Sequence, residues 1–173
     1  MTMLATCSEI QYRGDVLPAG LIYVDEYINE HEELALIEAA ANDYQATRYD
    51  GRSTSRGETP ASQKLSKKLK KDGYFVRPPK CVWACRYESN AGCEQHHDGA
   101  KASGTAIVSL GAHIVMDLTR KHKPTAIWLA PRSLLILRGE SLTEWTHGIA
   151  RRDYDNWNGQ RIERGVRTSY IFR

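Results

Sequence analysis

Three stretches of this chain carry residue types whose spacing could hold a metal: Gln95-His96-His97-Asp98, Trp145-Thr146-His147-Gly148-Ile149 and the terminal run from Arg167 to Arg173. In an extended segment side chains alternate faces, so His96 and Asp98 project together while His97 points the other way. One more donor would complete a set of two imidazoles and one carboxylate. Gathered on one face of a metal, that set suits non-haem Fe(II) and leaves positions open for a cosubstrate and dioxygen. His147 is the best candidate for the distal imidazole, because its short apolar-flanked segment can be a core strand. A His-x-Asp triplet taken alone carries little weight, since surface loops and satisfied core histidines produce it by chance.

The surroundings supply the weight. Tyr87, in Arg86-Tyr87, lies nine residues before His96, and twenty residues after His147 the chain closes on an Arg-x-Ser-x-x-Phe-Arg strand, Arg167-Thr168-Ser169-Tyr170-Ile171-Phe172-Arg173. In this order of blocks the sequence resembles the AlkB family of Fe(II)- and 2-oxoglutarate-dependent dioxygenases over roughly residues 80 to 173. The resemblance implies Fe(II), 2-oxoglutarate and O2 as cofactor and cosubstrates, with His96, Asp98 and His147 holding the iron. It also implies that Arg167 pairs with the distal carboxylate of 2-oxoglutarate, a task suited to the two-pronged guanidinium. Tyr87 and Ser169 would add hydroxyl hydrogen bonds, and Arg173 would sit beside the cosubstrate and the metal-binding carboxylate. Two positions depart from the family pattern. Cys85 stands where an Asn is usual, and Ala100 stands where some base dealkylases carry an acidic residue. The runs Ile114-Val115-Met116-Asp117, Pro131 to Leu135, Trp145 to Ile149 and Arg164 to Ser169 are similar to the branch that hydroxylates modified wobble uridines in tRNA.

These residues need a scaffold, and the sequence announces one. From Tyr74 onward short apolar strands alternate with turn residues: Lys80 to Tyr87, Gly104 to Leu110, Ala112 to Leu118, Thr125 to Leu129, Leu134 to Arg138, Glu144 to Ile149 and Val166 to Arg173. Before them, Leu21 to Val24 reads as a short strand, and Asn29 ahead of Glu30, Glu32 and Glu33 predicts a helix from about Glu30 to Asn42. Thr59-Pro60 starts a second helix that runs to Lys71 and ends at Gly73. Residues 1–16 show no period and read as a loosely docked arm. Helices first and sheet afterwards predict a mainly β fold with N-terminal helices, a jelly roll; the family implies the same double-stranded β-helix. The expectation is one domain over residues 1–173, with 1–79 as helical support and substrate-recognition region and 80–173 as the β-helix core.

Length and composition agree. The chain has 173 residues, 41% of them hydrophobic and 26% charged, with a formal net charge of +3, ordinary values for one globular domain. Its four cysteines, Cys7, Cys81, Cys85 and Cys93, form no Cys-x-x-Cys pair, which fits a reducing interior. No apolar run approaches the length of a membrane span and no leader is visible, so the reading is a cytoplasmic monomer that meets no membrane. Residues 47–59 read as a long polar loop carrying Arg48, Tyr49, Arg52 and Arg56, and the following helix carries Lys67, Lys68 and Lys71. These groups would contact the phosphates of a nucleic acid, RNA favoured, with Tyr49 stacking on an unpaired base. The rival is a protein side chain or small metabolite hydroxylated by the same site, which would leave the basic groups idle.

Overall fold

The computed structural model describes residues 10–41, 51–80, 82–98 and 104–173. In chain order the elements are β1 (Tyr12–Arg13), β2 (Ile22–Val24), α1 (Glu30–Ala41), β3 (Arg52–Arg56), α2 (Pro60–Lys71), β4 (Val82–Tyr87), β5 (Cys93–His96), β6 (Thr105–Gly111), β7 (Ile114–Arg120), β8 (Lys123–Leu129), β9 (Leu134–Leu137), α3 (Glu140–Thr143), β10 (Thr146–Ile149), β11 (Tyr154–Trp157), β12 (Gln160–Glu163) and β13 (Arg167–Phe172). The strands form a six-stranded sheet in the order β2-β9-β6-β13-β4-β3, a five-stranded sheet in the order β1-β8-β7-β10-β5 and the hairpin β11-β12. All paired strands are antiparallel. The architecture is a jelly roll with helices against its larger sheet.

Period-two alternation sorts the side chains of that sheet between two cores. Val82, Ala84, Ala106, Val108, Tyr170 and Phe172 face outward and pack with Leu36 of α1 and with Leu65 and Leu69 of α2. Cys85, Tyr87 and Ile107 face inward, against Ile114, Met116, Leu118 and Ile127 of the smaller sheet. Each fully buried aliphatic side chain contributes roughly 1.5–3 kcal/mol, and both faces of the six-stranded sheet are filled in this way. The helices start where the sequence places them. The Asn29 side chain accepts the Glu32 amide at 2.9 Å while the Glu32 carboxylate accepts the Asn29 amide at 3.1 Å. Thr59 and Ser62 form the same reciprocal cap, with Pro60 in the first turn.

Three local expectations are corrected, and one element was not expected. Part of the predicted 47–59 loop is a strand, since Arg52–Arg56 pairs with Trp83 to Tyr87 along the edge of the larger sheet; its polar side chains hid a strand whose pairing is through the backbone. Tyr12 and Arg13 are not a loose arm but pair with Ile127 and Ala126. A single turn of helix, Glu140–Thr143, delays the strand expected at Glu144, and the Trp145 indole N–H donates to Glu140 at 3.0 Å. The β11-β12 hairpin was not foreseen; it covers the outer side of the smaller sheet, where Trp157 packs at 5.7 Å from Trp128. Among the described residues no helix is long and apolar enough to cross a membrane.

Candidate metal centre and anion pocket

His96 ends β5 and His147 lies in β10, and the two are register partners across that strand pair. Their rings therefore sit side by side, with centroids 4.5 Å apart. The approach is tight: a Cβ on Gly148 would come within 2.8 Å of the Cys93 carbonyl oxygen and 3.0 Å of the Gln95 amide nitrogen, so glycine beside His147 lets the strands close. Asp98, two residues beyond His96, completes the group, and one potential ligand atom from each residue lies within 4.8 Å of the others. Oδ1 of Asp98 is 3.6 Å from Nε2 of both histidines. Nδ1 of His96 donates to the Glu94 carbonyl at 2.8 Å, the type of outer hydrogen bond that fixes the tautomer and leaves Nε2 with its lone pair turned inward.

The electrostatics of this trio are those of a site that wants a cation. The hydrogen bond to Asp98, followed by that to Cys93, pushes His96 up to about 10. Burial pushes His147 down to about 4. Burial alone would raise the Asp98 carboxyl, but the hydrogen bond from His96 and the charges of His147 and Arg173 hold it below the usual range. Arg173 donates to Asp98 Oδ1, while the buried Oδ2 has no hydrogen-bond partner among the described residues. A bound dication would replace the proton His96 holds and satisfy that oxygen.

Behind the trio lies a second unsatisfied group. Arg167 of β13 is 1% exposed and lines the same cavity as His96, Asp98 and His147. Its Nε and Nη2 donate to the Ser109 hydroxyl at 3.2 and 2.8 Å, and its Nη1 has no partner among the described residues. Among the described residues no carboxylate pairs with it, and burial pulls its pKa down. Tyr87 is its register partner, with the guanidinium carbon 5.3 Å from the ring centroid; burial raises the Tyr87 phenol to about 12, so it is a neutral donor. Ser169 pairs in register with Cys85 and lines the same cavity. The pocket thus combines a metal-ligand trio with a buried cation short of an anion, a fit for a carboxylate ligand that reaches from one to the other.

Of the residues expected at this pocket, Tyr87, His96, Asp98, His147, Arg167 and Ser169 line it, and Arg173 reaches it through its bond to Asp98. Sequence reasoning did not foresee Ser109, nor the pair in which Arg52 Nη1 donates to Cys93 Sγ at 2.8 Å on the cavity wall. Cross-strand register brings these in, and a single chain shows no sign of it. Arg56 lies on the same edge strand as Arg52. Arg48 and Tyr49 fall outside the described residues. Lys67, Lys68 and Lys71, expected as phosphate contacts, lie on the other side of the larger sheet from the metal trio. They ride on α2, whose Leu65 and Leu69 pack on the outward face of the six-stranded sheet, while the metal trio faces its inward side. The basic stripe is the back of that amphipathic helix, and Lys68 is held there by Asp72 at 3.0 Å and over the Tyr27 ring at 3.6 Å.

Comparison with known proteins agrees with this geometry. The sequence model of the 2OG-Fe(II) oxygenase superfamily matches residues 20–173. The chain is 30% identical to the mouse tRNA (carboxymethyluridine(34)-5-O)-methyltransferase ALKBH8, over 92% of this chain and 31% of the relative. It is 28% identical to the corresponding protein of Xenopus tropicalis, over 91% of this chain and 32% of that one. The chain therefore spans about a third of the length of the curated relatives it matches. The solved structure of OsALKBH1 superposes with a TM-score of 0.60 at 16% identity, covering 92% of this chain and all of that one.

Proposed function

Because this chain belongs to the 2OG-Fe(II) oxygenase superfamily, on its AlkB-like side, we propose that its pocket oxidises a C–H bond in RNA, with tRNA as the favoured substrate. The protein is a dioxygenase that uses Fe(II), 2-oxoglutarate and O2. We assign His96, Asp98 and His147 as the iron ligands and Arg167 as the partner of the distal 2-oxoglutarate carboxylate. Tyr87 and Ser169 line the cosubstrate's path, and Arg173 holds the Asp98 carboxylate in place. Residues 20–173 match as one unit, which supports reading the chain as a single catalytic domain.

The observation that carries the assignment is the buried Arg167 Nη1, without a hydrogen-bond partner among the described residues, in the cavity that also receives the metal trio. An unpaired buried cation costs several kcal/mol, and a bound dicarboxylate would offset that. When bound, Fe(II) with 2-oxoglutarate and O2 supplies the oxidant that turns a C–H into a C–OH while 2-oxoglutarate leaves as succinate and CO2. The chain's own residues hold, orient and seal. Arg167 and Tyr87 anchor the far end of the cosubstrate, Ile107, Met116 and Ile171 wall the cavity against water, and the substrate carbon enters from the open side. Hydroxylation of an N-methyl group would release formaldehyde, and hydroxylation of a methylene would leave a stable alcohol.

The RNA reading rests on the tRNA named for the relatives and on Arg52 and Arg56 along the open edge strand. The methyl transfer in their names belongs to proteins some three times as long and is not carried over. The test is mass spectrometry of tRNA, methylated oligonucleotides and peptides after incubation with Fe(II), 2-oxoglutarate and oxygen. Gain of one oxygen, or loss of a methyl with formaldehyde, on RNA supports the reading; oxidation confined to peptide or metabolite overturns it.

A further inference from the structure

The lysine stripe of α2, which the oxygenase site leaves unused, borders a groove. Between α1 and α2 lies a cavity of about 410 Å³, within the range of roughly 300–1,000 Å³ that ligand sites occupy. Its floor is aliphatic, made by Ile28, Ala35, Leu36, Ala61 and Leu65. Two of these are alanines, one on each helix, and side chains that short leave the space between the helices open. One wall is formed by Lys64, Lys67, Lys68 and Lys71, whose methylene stems extend the apolar lining while their ammonium groups stand at the rim. Lys68 is held by Asp72. Lys64, Lys67 and Lys71 are exposed and have no ion-pair partner among the described residues. The helix dipole accounts for basic residues in the last turn, Lys68, Lys70 and Lys71, but not for Lys64 and Lys67 further back. On the opposite wall the Glu32 carboxylate is tied to the Asn29 amide.

We propose that this groove receives an amphipathic helix of a partner protein, with its apolar side chains on the aliphatic floor and a row of carboxylates along the lysine wall. The lining residues of α2 run from Ala61 to Lys71, about 15 Å of helix at roughly 1.5 Å per residue, so about three turns of a bound helix lie alongside. A helix that docks in this way presents anchors at i, i+3, i+4 and i+7. Lys64, Lys67 and Lys71 repeat with the same three- and four-residue steps, so acidic residues at matching steps on the partner face them in register. Complementary charge of this kind selects partner and orientation more than it adds affinity. The concave shape disfavours a flat bilayer, since Ile28, Leu36 and Leu65 are 2%, 2% and 5% exposed and only a protruding side chain reaches them. A nucleic acid finds cations at the rim but no aromatic plane on the floor. The groove and the metal trio lie on opposite faces of the larger sheet, so a partner held here leaves the oxygenase pocket open.

The test displays random peptides of about 14 residues, enough to span the groove as a helix, on phage and selects them against the full chain. Enriched peptides should carry Leu, Ile or Phe at helical spacing with Asp or Glu along one edge, and synthetic copies should gain helical circular dichroism on binding. Lys64→Gln, Lys67→Gln and Lys71→Gln combined should weaken the best peptide roughly 10-fold at low salt, with succinate formation unchanged. Ala35→Trp, which fills the groove without altering charge, should weaken it at low and high salt alike. No enrichment, enriched peptides without an acidic edge, or binders that both variants leave untouched overturn the proposal. Binding of anionic vesicles or of a single-stranded oligoribonucleotide that the triple variant loses, with peptide affinity unchanged, assigns the lysines to lipid or nucleic acid and also overturns it. The triple variant alters exposed side chains alone, so it still decides where Ala35→Trp fails to fold.

Discussion

Two buried arginines three residues apart, Arg164 and Arg167, meet opposite fates. Arg164 enters the cluster on the outer side of the smaller sheet and is satisfied at every nitrogen. Nε and Nη2 donate to the two Asp155 oxygens at 2.8 and 2.9 Å, and Nη1 donates to the Ala150 carbonyl at 2.7 Å. Arg152 adds a further bond to the same carboxylate at 2.8 Å. Arg167, on the inner side of the larger sheet, has the Ser109 hydroxyl and the Tyr87 ring beside it, and its Nη1 is idle among the described residues. The fold can provide a buried guanidinium with a fixed anion, and at Arg167 it does not. A charge left short of partners inside a protein costs stability, so the place where the cost is kept is the place where a ligand is expected.

The largest expected effect breaks the open cluster outright. His96→Ala, Asp98→Ala and His147→Ala should each remove succinate formation to the limit of detection, because each deletes one of three protein donors. His97 is exposed and is not part of the ligand group, so His97→Ala should retain most turnover. Binding of Fe(II) measured without oxygen gives the second readout. Loss at His97 with retention at His96 would reverse the ligand assignment.

The closed cluster should fail in the opposite sense, through stability. Asp155→Asn strips two arginines of their shared anion and should destabilise the fold by about 3–5 kcal/mol, or roughly 6–20 °C in Tm. Burial raises the Asp155 carboxyl, but hydrogen bonds and charge from Arg164 and then Arg152 hold it below the ordinary range. A carboxyl depressed in the folded state stabilises fully above its unfolded value, about 3.9, and loses that contribution as pH falls through the folded value. Wild-type stability should therefore drop in acid below about pH 4, and the Asn variant should lose less of its own over that window. Urea midpoints across that range measure the difference.

Arg167→Met sharpens the comparison. It should weaken 2-oxoglutarate binding by about 2–5 kcal/mol, roughly 30- to several-thousand-fold, yet leave the ligand-free protein as stable as before or more so, since an unpaired buried charge is removed. Arg164→Met should destabilise and leave cosubstrate affinity largely alone. Isothermal titration and thermal melts together separate the two. If Arg167→Met destabilised the free protein as much as Arg164→Met, the idle nitrogen would have a structural partner and the contrast would collapse.

A smaller effect is expected at Cys85, where the resembling family carries Asn. The thiol is 5% exposed, and its Sγ lies 3.9 Å from the Thr54 hydroxyl, too long for more than a weak contact. Cys85→Asn places an amide on the cavity wall and should tighten 2-oxoglutarate by about 1 kcal/mol or leave it unchanged. A large loss of affinity would mean that the strand is matched to the family in the wrong register.

How far the site could be read in the sequence depends on distance along the chain. His96 with Asp98, and Arg167 with Ser169 and Arg173, sit at even spacings on extended segments, so alternation alone makes each set share a face. Ser109 and Arg52 join the pocket only through pairing with strands far off in sequence, and no local pattern encodes that pairing. The jelly roll was legible from strands spaced by turns. The edge strand Arg52–Arg56 was not, because an edge strand needs only its backbone to pair and its side chains can all be polar. For α2 the apolar stripe of Leu65 and Leu69 told that the helix packs on something. It could not tell which face of the sheet that would be, and the answer decides whether the lysines meet the substrate.

That answer leads to the smallest expected effect. With α2 on the outward face of the larger sheet, Lys67, Lys68 and Lys71 lie across the sheet from the trio, and Lys68 is already engaged by Asp72. Changing Lys67 and Lys71 to serine together removes the two that no ion pair at Asp72 depends on. At about 0.15 M salt a charge more than roughly 8 Å away through solvent is largely screened, so oligonucleotide Kd should move by less than about 2-fold and succinate formation should not move at all. Arg52 and Arg56 set the contrast, since they lie on the strand bordering the pocket. A drop in affinity and in salt slope from the lysine pair, as large as that from Arg56→Gln, would mean that the bound strand passes over the helices and that the substrate surface extends to both sides of the larger sheet.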